Sequence, residues 1–394
     1  MPEMFGTHHS KVSIPFSFSK KLPLTQVLQM LVLIRQDSTA QVIIHTANMI
    51  PFDWMNMTQG LWKSPLLPLL PNDSLSSQPN VIGSGTRFKI DFINYLRAYD
   101  DKRVICKPLI EQLTKYDFSE VRAALIASVP GKQGIDDDDV ETKWGWAGLN
   151  EVLKSVPARG NEPEIAVQIS SIATLGQTNK WLDQTLFRAL RLHKGGAAPK
   201  SKFRIIFPTA DEVRRSLNGY DSGSAIHTKI QTAAQVKQLH YLKPLLCHWA
   251  GDGAQHSASS SIPISDAGRK RAAPHIKTYI RFADKERSCI DWMLVTSANL
   301  SKQAWGETTN SAGEVRICSY EIGVMVWPGL FGENAIMVPT FKSDTPPTGT
   351  DEGVVIGARM PYDLPVVPYA KGDKPWCATS SYTEPDWKGE TYIL

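Results

Sequence analysis

The sequence predicts an α/β protein of two related halves, each a mixed β-sheet flanked by helices. Apolar runs of strand length alternate with helix-like patterns along the chain, and one short motif occurs twice. Gln41-Val42-Ile43-Ile44 is the first strand, and Phe88 to Tyr99 follows with apolar residues at helical spacing. Ala123 to Ser128 reads as a strand. Gly131 to Thr142 carries glycines and an acidic run, and reads as a surface connector near a domain boundary. We place that boundary between residues 143 and 144, giving domains 1–143 and 144–394. In the second half, strands at Ile165 to Ile169 and Phe203 to Phe207 alternate with helices at Trp181 to Leu192 and Ala233 to Trp249. Trp292 to Val295 and Ile322 to Trp327 are the last strands, and Gly251 to Ser261 and Pro346 to Gly353 are loops.

Composition excludes several classes. With 42% hydrophobic and 21% charged residues, 394 residues can bury two sizeable cores. A net charge of +4 is compatible with a nucleic-acid partner. The five cysteines are scattered without a CxxC, which argues for a reducing compartment and against a disulfide framework or zinc site. No apolar run has the length of a membrane span, and the start lacks the basic and apolar regions of a signal peptide.

The repeated motif carries the chemistry. In Pro274-His275-Ile276-Lys277-Thr278-Tyr279-Ile280, read as a strand, His275 and Lys277 share a face and Ile276 takes the other. A second strand, Asp291 to Val295, runs into Thr296-Ser297-Ala298-Asn299. The same order occurs earlier: His9-Ser10-Lys11, then Val42-Ile43-Ile44 running into His45-Thr46-Ala47-Asn48. Two copies suggest a pseudo-twofold pair of domains with one active site between them. Two imidazoles, two ammonium groups and two amides suit a phosphodiester anion. Lysines neutralise its oxygens, asparagines donate to them, one histidine attacks phosphorus and the other protonates the leaving oxygen. The lysines supply the positive charge, so we expect no metal or other cofactor.

These paired motifs resemble the phospholipase D superfamily, and within it the tyrosyl-DNA phosphodiesterases, whose His-Lys-Asn motifs lack the aspartate of most members. The resemblance runs through FGTHHSK, VIIHTANMI, DWMNMTQGLW, SVPG, ISSIATLG, PHIKTYIR, LVTSANLSKQAWG, SYEIGV and PYDLP. It implies two phospholipase D-like domains and hydrolysis of the 3′-phosphotyrosyl bond between DNA and a topoisomerase I-derived peptide, or of other 3′ blocking adducts. It implies that His9 is the nucleophile and His275 the acid and then base, while Lys11, Lys277, Asn48 and Asn299 hold the phosphate. Gln59 and Glu321 match residues that orient the two histidines, and Glu321 beside His275 would favour its protonated form. Ser170 and Ser171 match a DNA-phosphate contact, with Ser301 nearby. Phe5 matches an aromatic that stacks on a base. Trp376 would line the peptide side. A monomer acting in the nucleus, without a membrane, follows from the same likeness.

Two departures stand against that pattern. The chain begins eight residues before His9, where family members have a long stretch, so we expect an N-terminally truncated first domain. Lys11 to Asn48 spans 37 positions against 22 from Lys277 to Asn299, and the excess falls in Val12 to Gln29. Val12-Ser13 can be encoded by GTAAGT and Gln29 by CAG, so the expectation is a retained intron. The alternative function is an inactive or DNA-end-binding remnant. Three other features read as structural: a third His-x-Lys at His227-Thr228-Lys229, the buried and satisfied His45, and the Asp136 to Asp139 run.

Overall fold

The computed structural model describes residues 7–8, 12–13, 30–35, 38–71, 79–100, 106–135, 141–160, 162–198, 200–249, 264–346 and 353–394. Thr7–His8 (β1) and Val12–Ser13 (β2) are short strands, and Met30–Ile34 (β3) pairs antiparallel with Thr39–His45 (β4). Helix Pro51–Met55 (α1) leads to Met57–Thr58 (β5), Leu61–Lys63 (β6) and Leu67–Pro68 (β7). Helices Gly85–Asp100 (α2) and Lys107–Leu113 (α3) precede strands Ala124–Ser128 (β8) and Gly131–Gly134 (β9). The connector expected from residue 131 onward is therefore a strand at its start, because Gly131–Gly134 find an antiparallel partner in Glu314–Ile317. The Asp136 to Asp139 run lies outside the described residues.

Helix Gly145–Leu153 (α4) opens the second half, followed by Glu164–Gln168 (β10). A π-helical turn at Leu182–Leu186 runs into Phe187–Leu190 (α5), and a small hairpin joins Leu192–His193 (β11) to Gly196–Ala197 (β12). Lys202–Ile206 (β13) and Ala210–Arg214 (α6) lead to Ala233–Leu242 (α7), which starts at a Thr232–Gln235 capping box. The helix expected to reach Trp249 stops at Leu242. Pro244 has no N–H to continue it, and the chain turns into strand Leu246–Cys247 (β14). Ala273–Pro274 (β15), Thr278–Phe282 (β16) and Ile290–Thr296 (β17) follow, then Lys302–Trp305 (α8). Glu314–Ile317 (β18), Ser319–Val326 (β19), Ile336–Thr340 (β20) and Val355–Arg359 (β21) complete the elements.

Two main sheets result. One has the order β2-β3-β4-β6 with β7 also on β4. The other has the order β1-β19-β17-β16-β10-β13-β14, with β8 also on β19. Hydrogen bonding thus crosses residues 143/144, since Ala124–Met325 through Ser128–Glu321 are paired. Two apolar cores lie on opposite sides of this junction. Ile322 and Val324 of β19 pack with Val32, Val42, Phe88 and Tyr95, whereas Met325 packs with Ile165, Val167 and Trp292. Strand alternation is the cause: even-numbered residues of β19 face one core and Met325 faces the other. Among the described residues no helix is long and apolar enough to cross a membrane.

Candidate active site

Two strand ends and one interrupted strand build the site. β4 ends at His45, and the loop Thr46-Ala47-Asn48 turns back at once. Thr46 anchors it: its hydroxyl donates to Gln59 Oε1 at 2.9 Å and accepts from the Gly60 N–H at 2.8 Å. Gly60 packs closely, since a Cβ there would stand 2.8 Å from Ile276 Cδ1 and force that side chain to shift. With its carbonyl occupied, Gln59 points its amide nitrogen at the Asp53 carbonyl, 3.1 Å away, and at His275 Nδ1, 3.4 Å away.

His275 and Lys277 do not lie in a regular strand, as expected, but between β15 and β16. The reason is a change of partner. The N–H groups of His275 and Ile276 both donate to the Thr58 carbonyl, before the chain joins β17 at Thr278. The two side chains still meet. Lys277 Nζ lies 3.2 Å from His275 Nε2 and donates to the His275 carbonyl at 2.6 Å, while Ile276 is buried against Gly60.

The Asn299 loop is set by the segment after β10. Its Oδ1 accepts from the N–H groups of Ser170 at 3.0 Å and Ser171 at 2.9 Å, and from the Ser170 hydroxyl. The carbonyl is then satisfied, so the amide N–H groups are what Asn299 has left to offer an anion. Ser297 bridges to β19: its hydroxyl donates to Glu321 and accepts from the Ile322 N–H.

Burial governs the charges. Lys277 is 1% exposed, and desolvation pulls its pKa well below the usual lysine range, opposed by the charges of Glu321 and Asp53. Burial likewise pushes the Glu321 carboxyl up, opposed by Ser297 and Lys277. Asp53 is also raised by burial and held down by hydrogen bonds from Asn48 and by Lys277.

Glu321, expected beside His275, accepts from the Ser297 hydroxyl and acts on Lys277; the other expected residues, Trp376 apart, divide into three groups. His275, Lys277 and Gln59 meet, Asn48 joins them through Asp53, which accepts from the Asn48 N–H at 2.6 Å, and Asn299 is aimed separately by Ser170 and Ser171. Ser170 is buried behind Asn299, and Ser171 lines a cavity of about 380 Å³ with Thr174, His227, Lys229 and Lys302. The third His-x-Lys, expected to be structural, therefore flanks this cavity, and His227 donates its N–H to the Ser170 carbonyl. Ser301 is committed to capping α8 through the Ala304 N–H. Phe5, His9 and Lys11 lie outside the described residues; the described His8 stands opposite Tyr320, one residue before Glu321.

Two expectations are corrected. Trp376 does not line a substrate surface. It is fully buried, donates to the Ile226 carbonyl and stacks on Tyr382, because an indole of this size completes the second core. His45 is buried against Trp54, but neither ring nitrogen has a hydrogen bond of good geometry among the described residues, and burial lowers its pKa. Asp53 was missed. It lies within an apolar stretch, Met49-Ile50-Pro51-Phe52-Asp53-Trp54-Met55, where a lone carboxylate is a visible anomaly.

The tyrosyl-DNA phosphodiesterase family model matches residues 28–370. The chain belongs to that family. Among named relatives it is 32% identical to a probable tyrosyl-DNA phosphodiesterase of Schizosaccharomyces pombe, over 98% of this chain and 77% of that protein. It is 32% identical to the tyrosyl-DNA phosphodiesterase 1 of Drosophila melanogaster, over 95% of this chain but only 58% of that protein. The crystal structure of the yeast tyrosyl-DNA phosphodiesterase superposes with a TM-score of 0.63 at 20% identity, over 89% of this chain and 76% of that one. The tyrosyl-DNA phosphodiesterase fold, phospholipase D-like, is thus the fold of this chain.

Proposed function

We propose that this chain hydrolyses the phosphodiester joining tyrosine to the 3′ end of DNA, through a phosphohistidine. The observation that carries the reading is the contact between halves: His275 meets Gln59 across 216 positions and Asp53 at 3.2 Å. Residues of the first half thus gather at the histidine of the second.

An imidazole nitrogen of His9 attacks phosphorus as the P–O bond to tyrosine breaks, and His275 delivers its proton to the departing phenolate. A water then gives a proton to His275 and attacks phosphorus. The P–N bond breaks, and DNA leaves with a 3′-phosphate. Lys277 and Lys11 neutralise the phosphate oxygens, and Asn299 and Asn48 donate to them as charge builds. The low pKa of buried Lys277 fits this role, since a phosphate anion alongside would restore its charge.

The substrate is DNA with a blocked 3′ end, the leaving group a topoisomerase I-derived tyrosyl peptide, and the place of action the nucleus, with a monomer as the working form. Phe5 stacks on a base and Ser171 meets a backbone phosphate. An oligonucleotide bearing a 3′-tyrosyl group tests this under single turnover with chelator present. Release of tyrosine and a 3′-phosphate strand, lost in His9→Ala, is the expected result. Binding without release would instead favour a DNA-end-binding remnant.

A further inference from the structure

We infer that Asp53 is the positioning carboxylate of His275, holding Nδ1–H so that Nε2 faces the reacting phosphate. The inference rests on the proposed hydrolysis, to which it adds a residue outside the His-Lys-Asn motifs. Asp53 is 1% exposed on α1, and its Oδ2 lies 3.2 Å from His275 Nδ1. Gln59 Nε2 is also near Nδ1, at 3.4 Å, but both cannot bond the same atom in the same tautomer. Gln59 would donate to a bare nitrogen, whereas Asp53 needs a proton there. The Asp53 contact is the shorter of the two and is charge-assisted.

The other ring nitrogen agrees. When Lys277 is charged, its Nζ, 3.2 Å from Nε2, donates there and leaves the proton on Nδ1. Among the described residues, the charges facing His275 are Asp53 from α1 and Lys277 from its own segment, with Glu321 of β19 acting on Lys277. Asp53 Oδ1 is buried without a hydrogen bond among the described residues. That arrangement costs stability, which fits a carboxylate kept for its charge. The Asn48 N–H donates to the same Oδ2 at 2.6 Å, so the asparagine of the first motif fixes the carboxylate that meets the histidine of the second.

Asp53→Asn keeps the shape and removes the charge. The imidazolium of His275 then becomes less stable, and its proton delivery and uptake both weaken. Turnover of a 3′-tyrosyl strand should fall about 100-fold. The first-turnover burst from a 3′-nitrophenyl strand, whose leaving group needs little protonation, should change by less than about 5-fold. The covalent adduct should persist, and the alkaline limb of tyrosyl turnover should move to lower pH. Equal losses on both leaving groups, with an unmoved limb, would overturn the inference. If the variant fails to fold, nitrogen NMR of the wild-type chain decides, with the His275 signals assigned by their loss in His275→Gln. A neutral ring protonated on Nδ1 supports the inference, and one protonated on Nε2 overturns it. A wild-type chain that releases neither leaving group would sink the proposed hydrolysis, while the NMR result would still judge the contact.

Discussion

The two asparagine loops occupy equivalent places in the repeated motif, yet they are held by different means. Asn299 is fixed through its side chain, with Oδ1 accepting from Ser170 and Ser171. Both backbone carbonyls accept from an indole, Trp305 for Asn299 and Trp54 for Asn48, but Asn48 is held at its own N–H by Asp53 where Asn299 is held at its side-chain oxygen. Lys277 and Glu321 are buried in the second half, while the carboxylate and amide that meet His275 come from the first. The repeat thus specifies which groups meet the phosphate, and segments outside the repeat specify how each is aimed. Identical residue types can then take unequal roles.

The comparison breaks most sharply at His275. His275→Ala should slow complete turnover by about a thousand-fold and leave the strand covalently attached at His9, seen as a shifted band under denaturing conditions. A variant that turns over slowly with no trapped adduct would reverse the assignment of acid and nucleophile. Asn299→Ala should cost about 100-fold in the single-turnover rate, the scale of one lost oxyanion donor. Asn48→Ala would lose a less rigid donor and should cost less; an equal loss would show that the unlike supports do not matter. Removing residues 12–29 brings the Lys-to-Asn spacing of the first half close to that of the second, and should raise turnover about tenfold if the segment is a retained intron. Mature message containing those codons with no shorter form would argue against that origin.

Smaller effects sharpen the electrostatics. Glu321 raises the pKa of Lys277 against the lowering by burial. Glu321→Gln removes that support, so Lys277 loses its proton at lower pH and activity declines earlier on the alkaline side. The shift should be roughly one unit in the pH profile, with little change in acid. Ser170→Ala deletes one of three bonds to Asn299 Oδ1 and should cost about threefold, near the value of one net hydrogen bond.

Much of this was legible in the chain. His275, Lys277 and Asn299 announced themselves because strand alternation and a small polar turn after β17 are local properties. The strands at 124–128, 164–168 and 202–206 were visible for the same reason. Other features were set by distant partners. Gly131–Gly134 became a strand only because Glu314–Ile317 arrived beside it, and His275 left the ladder because Thr58 captured its N–H. Asp53 could not be assigned from spacing, since its partner is 222 positions away in sequence. Resemblance alone assigns Trp376 to the peptide side, whereas a large indole in a crowded core serves as packing.

Because Ile322 and Val324 fill one core and Met325 the other, melting either half strips a wall from its neighbour. The halves should lose structure together in a single calorimetric peak, and amide exchange along Ile322 to Met325 should be governed by global opening of the molecule rather than by local fraying.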